Sequence, residues 1–473
     1  MGFENNTEMA KFSNGQSDRT VGNENNNNNN NIDDRNRKFT YQQIRREIDE
    51  KKRKLLIYQR KVYDITNWID KHPGGDLVIS HMVGRDATDQ ILTNHSKEVL
   101  DKYMKMFIVG NVDVDDATTR QYVDRPLSME FRKLHARMVR ERLLETHWSY
   151  YFVVYSSIFL WFALAFASLW FHGDTLLGCA ISGILIAIFW HQSAGIMHDT
   201  GHNAISQNRH VDNWVGIVFS NMFTGISIGW WKTSHFVHHL VTNDPEHDPH
   251  IQMLPFIAIS TRFFESLYST YHKRILPFDR FAQFMVQFQH LVYIPLMSLA
   301  RYVMYKDTFV YLQRKEKGWK LETFAIGCYW CYFFAMIFFL IPDNRLRIFY
   351  FFWPNLIMVI LLLQLYVSHN HMSTDSMGEQ EEYLPYQLRT TIDFWCPKGF
   401  DFLHCGLQFQ IAHHLFPRMP RHNLRPATEI IKKFCQKHNL TYTHMGFIEG
   451  NVKLLKHMRE IAFEAEKYSN KQC

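Results

Sequence analysis

Four runs of this chain are too long and too apolar for the core of a small soluble domain. Residues 148–171 carry no charged side chain, and after the short break HGDT the run resumes over 176–197. Residues 324–341 and 348–367 form a second such pair, separated by PDNRLR. A helix needs about 20 apolar residues to cross a bilayer. In hydrocarbon every backbone group must be satisfied internally, so both pairs read as helical hairpins. Two further greasy stretches, 214–231 and 285–303, carry Asn, Gln, His and Arg between them. The mean hydropathy of −0.26 hides this pattern, because it averages the apolar runs with a polar first third.

The remainder of the chain divides by composition. Residues 1–36 hold the Asn run 25–31 and are expected to be a disordered tail, since such a segment buries too little apolar area to offset its ordering entropy. Residues 37–115 alternate short strands, turns and helical patterns and read as a compact soluble α+β domain. Residues 116–147 are charged and helical in pattern, and are expected to be a linker lying along the membrane. The four apolar runs and what lies between them make an all-α membrane domain over 148–450, and 451–473 is expected to be a C-terminal tail. The fold class is therefore multidomain: an α+β domain followed by an all-α membrane domain with four spans.

Seven scattered cysteines, an odd number without paired spacing, suit a reducing compartment. Cys328 and Cys331 lie inside an apolar run and read as membrane packing. The polar N-terminus has no apolar core of a signal peptide. A net charge of +6 gives no basis for nucleic-acid binding, and for a membrane protein it suits an anionic leaflet. The stretches 116–147, 304–320 and 420–459 are rich in Lys and Arg and are expected on the cytosolic side, although Arg345 and Arg347 in the short turn go against that rule.

Histidines cluster where the runs end. HDTGH places His198 and His202 directly after the second run. HFVHH supplies His235, His238 and His239. SHNH supplies His369 and His371 after the fourth run, and QIAHH supplies Gln410, His413 and His414. Spacings of three and four put the rings of a cluster on one helical face. His81, His172, His210, His272, His290, His422 and His444 stand alone and read as ordinary surface or core residues. Imidazole suits zinc, copper, iron and nickel. About eight ligands exceed what one four-coordinate ion uses, and a zinc hydrolase needs about three. The paired Glu-x-x-His motifs of soluble di-iron bundles do not occur in the chain. What remains is a nearly all-histidine two-metal site at a membrane surface, for which iron and dioxygen are the natural pairing. Asp199 and Asp248 are candidates to orient ligand imidazoles by hydrogen bonds.

Such a site needs electrons. His72 in HPGG and His95 downstream can ligate a haem iron on both faces, giving a carrier with no open position. The pair Gly74-Gly75 allows close approach of backbone to the porphyrin.

With those words in view, residues 37–113 resemble a cytochrome b5 domain, through HPGG and GRDAT. Residues 148–450 resemble a membrane-bound front-end lipid desaturase, through HDTGH, HFVHH and QIAHH with LQFQ and HHLFPRMPRHNLR around the last. The resemblance implies haem b on His72 and His95. It also implies a di-iron centre of two Fe ions on His198, His202, His235, His238, His239, His413 and His414, with His369 as an extra ligand. Gln410 takes the place of a histidine found in other desaturases, ligating weakly or through water. Phe236 stands where relatives often carry a polar residue, and Ala412 where many carry an acidic one. The resemblance further implies a cytosolic catalytic cap, residence in the endoplasmic reticulum membrane as a multi-pass protein, O2 as oxidant, and NADH-cytochrome b5 reductase as electron source. The lipid substrate is a ceramide or sphingoid base, or an acyl chain. GISIGWWK, HDP followed by IQ, and PRMPRHNLR resemble the sphingolipid Δ8 group more than the Δ6 and Δ5 fatty-acyl group. A b5-fused hydroxylase and a membrane-anchored haem carrier are the rival readings; the second hairpin and the histidine clusters go unexplained by the carrier.

Parity adds a constraint that owes nothing to resemblance. All clusters must meet on one face of the membrane, and a hairpin precedes each group of them. The stretches 214–231 and 285–303 therefore cannot each be a lone span, and are expected to be interfacial or re-entrant.

Overall fold

The computed structural model describes residues 36–472. The Asn-rich segment expected to be a tail lies, except for Asn36, outside the described residues. Residues 38–112 form a four-stranded mixed sheet with helices packed on it. Strands β1 (Lys38–Phe39), β2 (Leu55–Tyr58), β3 (Lys61–Asp64) and β4 (Ile108–Val112) lie in the order β1-β4-β3-β2. The pair β1–β4 is parallel and the others are antiparallel. Every residue of β2 is buried, because Leu56 and Tyr58 face one cluster and Leu55 and Ile57 the other. This is the period-2 alternation of a strand covered on both faces. The helices Asp76–Ser80 and Thr88–Asn94 carry the chain between His72 and His95.

Four helices are long and apolar enough to cross a membrane: Trp148–His172, Leu176–Gly201, Trp319–Leu340 and Asn344–Val367. The last is interrupted at Met358, and Pro354 within its first part has no N–H to give to the Tyr350 carbonyl one turn earlier. The hairpins touch through small residues. A Cβ on Gly183 would come 2.4 Å from Trp353, and one on Gly173 would come 2.1 Å from the Leu340 carbonyl. Ser182 donates to the Ala165 carbonyl at 2.7 Å and shares a hydrogen bond with Tyr350 at 2.9 Å. Close backbone approach and interhelical hydrogen bonds are the means of helix association where apolar burial gives no drive.

The stretches 214–231 and 285–303 are not among these four helices. The first is split into Arg209–Gly216, a π-helical turn Ile217–Met222, and Ile228–Leu240. The second lies across Arg280–Gln287 and Gln289–Gln313, with Arg301 buried under Trp190 at 4.2 Å.

Two expectations need correction. Residues 117–123 and 126–140 are helical, but Pro126–Arg140 does not leave its apolar face for a bilayer surface. Phe131, Leu134 and Met138 are buried, and Phe131 stacks on Phe416 at 5.6 Å. Nor is the C-terminus a tail. Helix Phe447–Gln472 buries Leu454, Met458, Ile461 and Ala465 against Tyr293 and Met297. Its amphipathic stripe needs a partner surface, and Arg280–Gln287 and Gln289–Gln313 supply it.

Candidate metal centre

Each histidine cluster is fixed by a local device. His198 sits on the last turn of the second span and His202 caps that helix. Gly201 between them is required by packing, since a Cβ there would come 2.0 Å from the Trp231 ring. The helix Ile228–Leu240 is started by Ser227, whose side chain accepts from the Trp230 amide, and it presents His235, His238 and His239. His369 follows the fourth span directly. His413 and His414 lie on the short helix Gln410–Leu415, whose Ile411 amide donates to Asp393 at 2.8 Å.

These elements bring eight imidazoles into two groups. His198, His202, His235, His239 and His413 form one; His238, His369 and His414 form the other. Within each, the ligand nitrogens lie within 4.8 Å of one another. His239 Nε2 is 3.0 Å from His235 Nε2 and 2.9 Å from His413 Nε2. Gln410 is buried on the short helix that carries His413 and His414. His371, the second histidine of SHNH, joins neither group.

Second contacts settle which nitrogen faces inward. His238 Nδ1 donates to Asp248 Oδ2 at 2.8 Å, and the same oxygen accepts from the Asn243 amide at 2.8 Å. His369 Nδ1 donates to the Thr390 carbonyl at 3.1 Å. His414 Nδ1 donates to Gln387 Oε1 at 3.0 Å, while Gln387 Nε2 donates to the His239 carbonyl at 2.9 Å. A ring whose Nδ1 is thus engaged presents a bare Nε2 lone pair. Asp199 behaves otherwise. It lies 3.8 Å from His198 Nδ1, and its Oδ2 accepts from Arg421 Nε at 2.6 Å and from the Tyr151 hydroxyl at 2.7 Å. It therefore pins the second span to the cap and does not orient a ring.

Burial, reinforced by neighbouring rings, pushes His202, His235, His239, His413 and His414 well below the usual imidazole range. The same causes bring His238 and His369 down to about 3. All of these rings are neutral near pH 7, the form that binds metal. Buried His202 Nε2, His235 Nδ1, His239 Nδ1 and His414 Nε2 have no hydrogen-bond partner. A buried polar atom left unpaired costs about 1–3 kcal/mol. The Nε2 atoms of neutral His235, His239 and His413 crowd at about 3 Å, and His202 Nε2 and His414 Nε2 are buried without a partner; both features fit metal ions, and the donor set is of the kind iron accepts.

The haem residues meet a similar test. The rings of His72 and His95 have centroids 6.1 Å apart. Two metal–nitrogen bonds of about 2 Å, with each ring's own radius, come to roughly that separation. His72 Nδ1 donates to the Gly75 carbonyl at 3.0 Å and His95 Nδ1 to the Ile91 carbonyl at 3.1 Å, which turns both Nε2 atoms free. A Cβ on Gly74 would come 2.9 Å from His72 Cε1.

Several contributors have no role that the sequence alone assigns. Gln387 and Arg421 belong to no cluster. His250 lies two residues from Asp248; its ring stacks on His238 at 4.4 Å, and it forms a further group with His238 and Asp248. The dense word HDPH was the signal that could have found it.

Comparison with known proteins decides the family. Residues 174–446 match the fatty acid desaturase model, and residues 40–113 match the cytochrome b5-like heme/steroid binding domain. The chain belongs to the fatty acid desaturase family. Among the relatives of this desaturase is a Delta 8-(E)-sphingolipid desaturase of Komagataella phaffii, 33% identical over 88% of this chain and 92% of that protein. One of the same description from Emericella nidulans is 31% identical over 86% and 91%. The Delta(8)-fatty-acid desaturase 1 of Arabidopsis thaliana is 32% identical over 88% and 91%. The desaturase is thus a membrane oxidoreductase with a fused haem-binding domain and a histidine-rich centre fit for two iron ions.

Proposed function

We propose that this desaturase introduces the Δ8 double bond into the long-chain base of a sphingolipid. The carrying observation is the pair of adjacent imidazole groups on a cap to which a haem-binding domain is fused. The substrate reading is supported by the descriptions of the fungal relatives, which match along most of the chain. We assign His198, His202, His235, His239 and His413 to one iron, and His238, His369 and His414 to the other, with Gln410 beside the latter. His72 and His95 are assigned to haem b. The haem domain and cap face the cytosol on the endoplasmic reticulum, where NADH-cytochrome b5 reductase supplies electrons.

Bound iron contributes reduction of O2 and the power to remove hydrogens from unactivated carbons; the rest is the work of the chain's own residues. Asp248, the Thr390 carbonyl and Gln387 hold the rings of His238, His369 and His414 in one tautomer and one direction. Trp231 covers the centre, stacking on His235 at 4.1 Å and excluding water from that side. Arg421, Asp199 and Tyr151 hold the second span against the cap, so the first group keeps its spacing. The sphingoid chain lies in the membrane domain and its polar head at the cap, so the position of the double bond follows from their separation.

Expression in a host without the activity, followed by mass spectrometry of long-chain bases and fatty acids together, tests this. A Δ8-unsaturated base is the expected product. New Δ6 or Δ5 fatty acids with unchanged bases would overturn the sphingolipid reading, and a hydroxylated base would overturn desaturation.

A further inference from the structure

The haem-binding domain is held against the metal-bearing cap by contacts on two sides. On one side Arg132 donates to Asp89 at 2.7 Å and to Asp86 at 3.1 Å. Nearby, Arg85 donates to the carbonyls of Gly378 and Met377 at 2.8 and 3.1 Å, and the Tyr41 hydroxyl donates to Glu379 at 2.8 Å. The segment that receives them follows His369 directly in sequence. On the other side the helix Ile228–Leu240 reaches into the haem domain. Leu240 is buried in one cluster with Leu56, Tyr63, Ile69 and Met82, and His247 packs on His81 at 4.7 Å.

One side chain on that helix reaches both sites. Phe236 lies between the metal-group residues His235 and His238. Its ring centroid is 5.7 Å from that of His202. Towards the haem domain, a Cβ built on Gly74 of HPGG would stand 3.7 Å from Phe236 Cδ2 and 2.9 Å from His72 Cε1. Phe236 therefore stands beside the haem motif, where a side chain on Gly74 would touch it, and also beside a metal-group ring. A polar residue here would bring water into the gap; a small one would leave a void with no atoms across it.

We propose that Phe236 is the positioning residue that closes the gap between the haem pocket and the metal centre, so that electrons cross directly within one folded chain. The proposal rests on the haem and iron assignments above. Electrons balance as follows. Each double bond removes two hydrogens from the substrate and reduces one O2 to two waters. Two of the four electrons leave with the substrate's two C–H bonds. The other two cross one at a time from ferrous haem, which is oxidised to ferric, to the metal centre, and solvent supplies two protons.

The test uses the purified full-length holoenzyme and two variants, Phe236→Ala and Phe236→Leu, the latter keeping most of the packing volume. Haem is reduced in advance, and its reoxidation on mixing with O2 and sphingolipid substrate is followed by absorbance, with iron-stripped protein setting the background. Phe236→Ala is expected to slow reoxidation severalfold or more, and Phe236→Leu to fall between it and the parent. Haem spectrum, haem midpoint potential and iron content are expected to be those of the parent in both variants. Reoxidation of Phe236→Ala at the parental rate overturns the proposal. So does loss of iron or a shifted potential, which would make Phe236 a structural support of one site. Absence of haem or iron from the parent protein would instead defeat the assignments on which the proposal stands.

Discussion

Asp248 shows what a single residue adds beyond the grouped imidazoles. Its side chain is fully buried, and it accepts from His238 Nδ1 and the Asn243 amide on one oxygen and from the His250 amide, at 2.9 Å, on the other. Asp248→Asn keeps the shape but can present an N–H to the His238 ring and upset its tautomer. Iron affinity is expected to fall about 10–100-fold, the usual cost of losing such a partner, with iron-to-protein ratio as the measurement. Acid sensitivity belongs to the same rings. Burial above all brings His238, His250 and His369 down to about 3, from about 6.5 for an ordinary imidazole. Between those values the unfolded chain binds more protons, so the stability they contribute is present above about pH 6.5 and is lost as pH falls through that window, by about 1.4 kcal/mol per pH unit for each ring. Iron-free protein in detergent is expected to melt lower at about pH 5.5 than at about pH 7.5, and unchanged melting would refute the neutral-ring account. The eight histidines that meet in the two groups were legible in the sequence because clustering and helical spacing mark them. Gln387 was not, because it is one polar residue in an unremarkable stretch; Arg421 lies in the quoted word PRMPRHNLR, but its partner Asp199 is reached only when distant elements meet.

At the scale of elements, periodicity was a good guide wherever an element's partner was lipid or its own neighbour, and a poor one where the partner lay far along the chain. The four spans emerge from apolar length alone, and the split of 214–231 follows from its Gly225 turn, at φ +74°, ahead of the Ser227 cap. The C-terminal helix is the counter-example. Leu454, Met458, Ile461 and Ala465 recur at helical spacing, but no local signal says what that stripe meets. Its partners are Arg280–Gln287 and Gln289–Gln313, more than a hundred residues upstream, and the Gln289 side chain donates to the Met458 carbonyl at 2.9 Å. The helix is thus a supporting part of the membrane domain. Leu454 is fully buried, and Leu454→Ala is expected to destabilise by about 2–5 kcal/mol, as core truncations do. Thermal unfolding in detergent checks this. A melting temperature equal to that of the parent would mean the helix is a dispensable appendage.

For the whole molecule, the number of spans and the meeting of the clusters decide the topology together. Four spans return the chain to the side from which it entered. The first pair is preceded by the haem domain and followed by His202, and the second pair is followed by His369. The haem domain, both imidazole groups and the C-terminal helix therefore share one face, while the turn 173–175 and the turn around Asp343 lie on the other. The helices Ile228–Leu240 and Gln289–Gln313, between the pairs, must stay on the first side or dip without crossing, as their polar content requires. Arg345 and Arg347 on the opposite turn weaken a charge-based reading, yet Arg347 is spent locally. It donates to the Ile341 carbonyl at 2.7 Å and to Asn344 at 2.9 Å, capping the ends of the third and fourth spans. Geometry overrides charge counting here, and the disagreement can be tested. Single cysteines introduced at exposed Lys105 and at exposed Asn344 are probed with a membrane-impermeant maleimide on sealed microsomes whose cytosolic face is outward, in a background with the native cysteines replaced. Lys105→Cys is expected to label at once, and Asn344→Cys only after the membrane is opened. Immediate labelling of both would place the turn and the haem domain on one side, and an odd number of crossings would then have to separate sites that the fold holds in contact.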